Sequence, residues 1–300
     1  MAKKQSDLLS TLSFIKIGDT PLVYLQKYEI FVKLERSNPT GSIKDRAAYF
    51  MLFQAIKEGK ITRHTTIVEP TSGNTGISLA WLATQLGLKA ILTMPKAASI
   101  ERIKLLQGLG ARVILTDTIE EAVEKAKAIS ENKDFFMPNQ FENERNVLAH
   151  FSTTGPEILK QMDYQLDAFV AGVGSGGTIT GVGKFLKEFN PTIKIIAVEP
   201  KQSAILSGGS PGKHKIQGIG AGFKPKILDL KLIDEIIQID DSEALGWTVK
   251  LWKEGIFAGI SSSANLLASL KIKEKYKFKR IVTVFPDDGY KYLSQILGNS

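Results

Sequence analysis

The sequence predicts an α/β fold of two doubly wound domains, each with a mostly parallel sheet, and an active site in the cleft between them. Three observations predict it. Apolar, β-branched runs alternate with longer segments of helical period almost from end to end; the gaps are short and closed by Gly or Pro; and the alternating units are too many for one compact sheet. Parallel strands need long crossovers, which helices supply, so this alternation reads as sheet covered on both faces.

Taken in order, the strand EIFVKLE (29–35) leads through the turn Asn-Pro-Thr-Gly into the helical SIKDRAAYFMLFQAIKEG. TTIVEP (65–70) leads into NTGISLAWLATQLG, KAILTMP (89–95) into SIERIKLLQGLG, and ARVILTD (111–117) into IEEAVEKAKAIS. The polar NQFENERN then breaks the alternation, which sets the domain split near residues 145–150. A smaller N-terminal domain is expected over 36–147 and a larger one from 1–35 plus 148–300. The larger domain continues with DAFVAGVG (167–174) and TITGVGKFLKEF, KIIAVEP (194–200) and DSEALGWTVKLWKEG, and RIVTVFP (280–286).

Composition removes several function classes. Across 300 residues there are 39 Lys+Arg against 31 Asp+Glu, a net charge of +8, and no cysteine. Disulfides, Cys-ligated metals and a catalytic thiol are therefore excluded. No apolar run approaches the ~18 residues of a membrane span, and MAKKQSDLLSTLSF has no apolar core with a cleavage site, so a cytoplasmic location is expected. The basic residues are scattered and interleaved with acids, as in KEGK, ERIK and KIKEKYKFKR, which argues against nucleic acid as a partner. His64, His150 and His214 lie far apart, so neither a metal site nor a Ser-His-Asp triad is expected.

Ligands in open α/β sheets bind at the carboxyl ends of strands, and three loops there are rich in Gly, Ser, Thr and Asn. In SNPTGSIKDRAAYF (37–50), Lys44 falls in the first helical turn. A helix N-terminus disfavours a cation and so favours the neutral amine that a nucleophile needs; the bland alternative is a solvated lysine paired to Asp45. In EPTSGNTGISLAWLA (69–83), Thr71, Ser72, Asn74 and Thr75 crowd one helix start, more than a single cap uses, which suits a carboxylate or phosphate. In GVGSGGTITGVG (172–183), the N–H groups of Ser175 to Thr178 would face a phosphate. Gly172, Gly174 and Gly177 also match G-x-G-x-x-G, with Glu199 22 residues on, so an NAD-dependent dehydrogenase stands as the alternative from another class. It leaves Lys44 and the TSGNT loop without work. A lysine amine, a phosphate cradle and an anion pocket together fit pyridoxal phosphate, the electron sink for amino-acid carbanions.

NPTGSIKDR, EPTSGNTG, GSGGTITG, HKIQGIGAGF (214–223) and FAGISSSAN (257–265) together resemble the cysteine synthase (O-acetylserine sulfhydrylase) family, among the fold-type II, tryptophan synthase β-like, pyridoxal-phosphate enzymes that include cystathionine β-synthase. The resemblance runs from about Ile17 to Leu297. It implies that Lys44 forms the internal Schiff base and moves the Cα proton, that Asn74 bonds the cofactor's 3′ oxygen, and that Gly174, Ser175, Gly176, Gly177 and Thr178 hold its phosphate. It further implies that Ser261 faces the pyridine nitrogen, Ser262 being one alignment step away, and that Thr71, Ser72, Gly73 and Thr75 with Gln140 hold the substrate carboxylate. Gly218, Gly220 and Ala221 match the loop bordering the substrate. No metal is implied.

The implied reaction is β-replacement: L-cysteine from O-acetyl-L-serine and sulfide by way of an aminoacrylate. A cystathionine β-synthase-like enzyme, or one using serine or O-phosphoserine, is the runner-up. The family also implies a homodimer, and a C-terminal tail of serine acetyltransferase as a partner; a non-catalytic relative that only binds such a tail is a further alternative, which the retention of Lys44, Asn74 and Ser261 opposes. Three departures bear on the nucleophile and substrate. Ala97 and Ala98 replace a segment that usually carries Met, TDTIEEAVEKA (116–126) replaces a Gly-Met-x-Gly-Ala run, and Ser263 stands where Gly is usual. Lys224 and Lys226 after GIGAGF would favour a more anionic substrate such as O-phosphoserine.

Overall fold

The computed structural model describes residues 2–298 apart from Ser72 and residues 97–99. The chain runs α1 (Ala2–Ser13), β1 (Leu22–Leu25), β2 (Ile30–Leu34), α2 (Lys44–Lys57), β3 (Thr66–Pro70), α3 (Asn74–Gln85), β4 (Lys89–Pro95), α4 (Ile100–Gly108), β5 (Arg112–Thr116), α5 (Ile119–Ser130) and β6 (Phe135–Phe136). It continues with α6 (Glu144–Ala149), a π-helical turn (His150–Thr154), α7 (Gly155–Gln161), β7 (Ala168–Gly172), α8 (Gly177–Phe189) and β8 (Lys194–Pro200). β9 (Glu235–Ile239), α9 (Asp241–Lys253), α10 (Ile260–Tyr276), β10 (Ile281–Phe285) and α11 (Leu293–Leu297) complete it. These elements form two compact units: residues up to Ile17 with Lys44–Arg145, and Gly18–Ile43 with the chain from Asn146 on.

In the first unit the sheet order is β5-β4-β3-β6, every pairing parallel. Ile67 of β3, Leu92 of β4, Leu52 of α2 and Leu79 of α3 are buried in one core. Leu8 and Leu12 of α1 join it, at 1% and 0% exposure. Residues up to Ile17 therefore pack with this unit, where sequence reading placed them in the larger domain; two leucines four apart give α1 a single apolar face that must be covered.

In the second unit the order is β1-β2-β10-β7-β8-β9, parallel throughout except for the β1–β2 hairpin. Strand periodicity divides its residues between two cores. Ala168 and Val170 of β7 and Ile196 and Val198 of β8 face one; Phe169, Ala171, Ile195 and Ala197 face the other. Such strands are apolar on both sides, which is why they read as continuous runs.

Each of the seven predicted runs contains an observed strand. Sequence reading missed β1, β6 and β9, and with them α1, α6, α7, α10 and α11. β6 is two residues long, too short for a periodic signal. α10 opens ISSSAN, polar in composition, yet Ser261, Ser262 and Ser263 are all buried.

Candidate active site

The first unit carries Lys44, partly buried, at the first position of α2. Its neighbour Asp45 is fully buried and accepts the Ser78 hydroxyl of α3 at 2.6 Å, which ties the two helices together. α3 begins after Gly73, a cap residue with no side-chain oxygen to offer. A helix start furnished this way suits an anion from outside the chain. Asn74 and Thr75 form its first positions, and Thr71 anchors the loop by donating its N–H to the Thr93 carbonyl at 3.0 Å while its hydroxyl accepts from Gly73 N at 3.3 Å. Thr75 Oγ1 donates to Gln140 Oε1 at 2.7 Å, so two residues 65 positions apart and predicted to share a pocket do meet. Ser72 lies outside the described residues, as do Ala97 and Ala98.

Sequence reasoning assigned no role to Glu69 at the end of β3. It is 1% exposed, and its two oxygens accept Asn139 N at 2.9 Å and Gln140 N at 3.1 Å. Burial pushes its carboxyl up to about 7, the two N–H bonds pulling the other way.

The second unit carries the other predicted groups. The turn from β7 into α8 caps the helix with Gly176 at φ +86°, a left-handed conformation that glycine takes without strain. Gly174 packs so closely that a Cβ there would lie 2.4 Å from the Gly218 carbonyl oxygen. The Gly174–Thr178 segment is thereby locked to the Gly218–Ala221 segment, reinforced by Gly220 N donating to Val173 O at 2.9 Å. Ser175 and Thr178 are buried at the helix start; the Ser175 hydroxyl accepts Asn146 Nδ2 at 2.9 Å. A recess lined by Gly174, Glu199, Ser203, Gly220, Ala221 and Phe223 lies alongside. Backbone N–H groups and hydroxyls at a glycine-capped helix start are the donor set a phosphate needs, so these residues fit that part of pyridoxal phosphate.

His150, set aside in the sequence as an isolated histidine, is fully buried with Nε2 3.3 Å from Thr178 Oγ1 and Nδ1 3.0 Å from Thr154 Oγ1. Its contact across 28 residues leaves no local spacing signal. Ser261, 3% exposed near the start of α10, faces Gly218: a Cβ on that glycine would lie 4.0 Å from Ser261 Oγ. The adjacent Ser262 hydroxyl donates to Asp287 O at 3.4 Å, and Ser263 Oγ sits 2.9 Å from Thr248 Oγ1. The serine at 263 thus has an internal partner. Lys224 and Lys226 are exposed.

The dinucleotide reading of GVGSGG does not survive. Glu199, which would have to hold a ribose, accepts Leu206 N at 2.8 Å, Ser207 N at 3.1 Å and the Ser207 hydroxyl. Its carboxylate is committed to its own chain. Among the described residues no group of His, Asp and Glu is placed to hold a metal, and no helix is long and apolar enough to cross a membrane.

The fold is a parallel-sheet α/β fold with a lysine at one helix start and a glycine-capped, hydroxyl-lined start at another. The chain belongs to the family described as pyridoxal-phosphate dependent enzyme, whose profile matches residues 14–287. Within that class it is similar to cysteine synthase of Staphylococcus aureus, 47% identical over 306 aligned positions covering 98% of this chain and 97% of the relative. Among solved structures it resembles the cysteine synthase of Entamoeba histolytica, with a TM-score of 0.90, 38% identity, and coverage of 98% of this chain and 90% of that one. It also resembles the O-acetylserine dependent cystathionine β-synthase of Helicobacter pylori, with a TM-score of 0.87, 40% identity and 96% coverage of each chain.

Proposed function

We propose that this protein catalyses a pyridoxal-phosphate dependent β-replacement that makes L-cysteine from O-acetyl-L-serine and sulfide. The observation that carries the reading is the constellation in the first unit: Lys44 opens α2 while Thr71, Gly73, Thr75 and Gln140 gather at the start of α3, the helix tied to α2 through Ser78 and Asp45. An amine and an anion-binding helix start on one rigid pair of helices are what an amino-acid substrate requires.

When bound, pyridoxal phosphate supplies an electron sink for negative charge at the substrate Cα. Lys44 would hold the cofactor covalently, and its free amine would take the Cα proton. The α3 start holds the substrate carboxylate through Thr71, Ser72, Gly73, Thr75 and Gln140, and Asn74 bonds the cofactor's 3′ oxygen. Gly174, Ser175, Gly176, Gly177 and Thr178 hold the phosphate at the start of α8. Ser261 offers the ring nitrogen a neutral hydroxyl, without the charge that would keep that nitrogen protonated. Gly218, Gly220 and Ala221 border the substrate. The working form on this reading is a cytoplasmic homodimer able to take the C-terminal tail of serine acetyltransferase.

The likeness to an O-acetylserine dependent cystathionine β-synthase favours a second reading, in which homocysteine replaces sulfide. Steady-state assays with O-acetylserine, O-phosphoserine and serine, each against sulfide and homocysteine, separate the two. The proposal expects the highest kcat/KM for O-acetylserine with sulfide; a higher value with homocysteine establishes the second reading, and no turnover of any pair overturns both.

A further inference from the structure

Glu69 makes no contact in the roles assigned above, yet its placement is costly. Burying an ionised carboxylate opposes folding by several kcal/mol unless its oxygens are well satisfied. Here each oxygen takes one backbone N–H, from Asn139 at 2.9 Å and from Gln140 at 3.1 Å. Asn139 is held at φ +53°, in the left-handed region that non-glycine residues seldom occupy and that asparagine tolerates best. A carboxylate is the side chain that can accept both N–H groups at once; an amide would set its NH2 against one of them.

The bonds close a ring. From Glu69 the chain runs through Pro70 and Thr71 to Thr75; the Thr75 hydroxyl donates to the Gln140 side chain; and the Gln140 N–H returns to Glu69. Thr71, Gly73, Thr75 and Gln140, the described residues of the proposed carboxylate pocket, all lie on that ring. Thr71, Thr75 and Gln140 are 7%, 3% and 7% exposed, so none can swing freely to compensate for a lost tie.

We infer that Glu69 is a positioning residue for amino-acid recognition: by gripping the Asn139 and Gln140 N–H groups at the carboxyl end of β3, it fixes Gln140 against Thr75 and so shapes the pocket for an α-carboxylate. The inference rests on the function proposed above and deepens it. Glu69 touches no ligand; it acts through Gln140.

The test uses the pyridoxal-phosphate-loaded protein and its Glu69→Gln variant. Cofactor content is measured by alkaline release, and binding by spectral titration with L-serine and with ethanolamine, which has the same amine and hydroxyl but no carboxylate. L-serine should bind about tenfold more weakly to the variant, the effect of losing one buried hydrogen-bond tie, while ethanolamine affinity and cofactor content stay as in the parent. Equal affinity for L-serine, or equal weakening of both ligands, overturns the inference. If the parent protein takes up no pyridoxal phosphate, the proposed function fails and the inference falls with it. Should Glu69→Gln not fold, Glu69→Asp keeps the charge and draws the carboxylate back by one methylene; the same selective loss for L-serine is expected, and its absence counts against the inference equally.

Discussion

β3 and β8 end in the same three residues, Val68-Glu69-Pro70 in one unit and Val198-Glu199-Pro200 in the other. Both glutamates are 1% exposed and both collect two backbone N–H groups. They differ in reach. Glu199 binds Leu206 and Ser207, seven and eight residues on, and so tucks in the loop that follows its own strand. Glu69 binds residues 70 and 71 positions away and joins two loops that the chain alone would leave independent. One motif therefore serves a local fold in one unit and, on the reading above, a ligand pocket in the other. A buried carboxylate at a strand end says nothing of function until its partners are known.

The largest expected effect concerns pH. The Glu69 carboxyl is raised by burial from an ordinary 4.5 to about 7, so between those values the folded state keeps a proton that the unfolded chain has released. Stability from this group is fully present below about pH 4.5 and is lost as pH rises toward about 7, by ~3 kcal/mol. Denaturant unfolding measured from pH 4.5 to 8 should show that decline, and Glu69→Gln should remove it; an unchanged slope in the variant breaks the assignment.

Next comes the reach of each glutamate. Glu199→Gln should cost ~1–2 kcal/mol and speed hydrogen exchange at the Leu206 and Ser207 amides. Glu69→Gln should speed exchange at Asn139 and Gln140 instead. Exchange that spreads across the same residues in both variants would erase the difference drawn here.

A smaller effect is expected at Ser263. Ser263→Gly removes the contact with Thr248 and puts glycine inside α10, at ~1 kcal/mol. Smallest is Ser207→Ala, which removes one of three bonds to Glu199 and leaves both N–H groups in place, for ~0.5 kcal/mol by thermal unfolding.

The same contrast between local and distant explains what the sequence disclosed. The strands were legible because residues such as Ile195 to Val198 are apolar on both faces, and the loops because glycine and hydroxyl residues crowd a helix start within a few positions. Lys44 and the segment from Gly174 to Thr178 announce themselves in that way. The Glu69 contact with Asn139 and the His150 contact with Thr178 do not: they span 70 and 28 residues, and only folding supplies the spacing. The G-x-G-x-x-G match, the alternative from another class, fails for the converse reason. Spacing alone pointed Glu199 at a ribose, while its carboxylate is taken by Leu206 and Ser207.

The central claim, that Lys44 carries pyridoxal phosphate, is tested most directly by borohydride reduction of the loaded protein followed by peptide mass spectrometry. The account predicts a yellow protein and a single pyridoxyl adduct on Lys44. An adduct on a different lysine, or a protein that stays colourless and unmodified after incubation with pyridoxal phosphate, would contradict it.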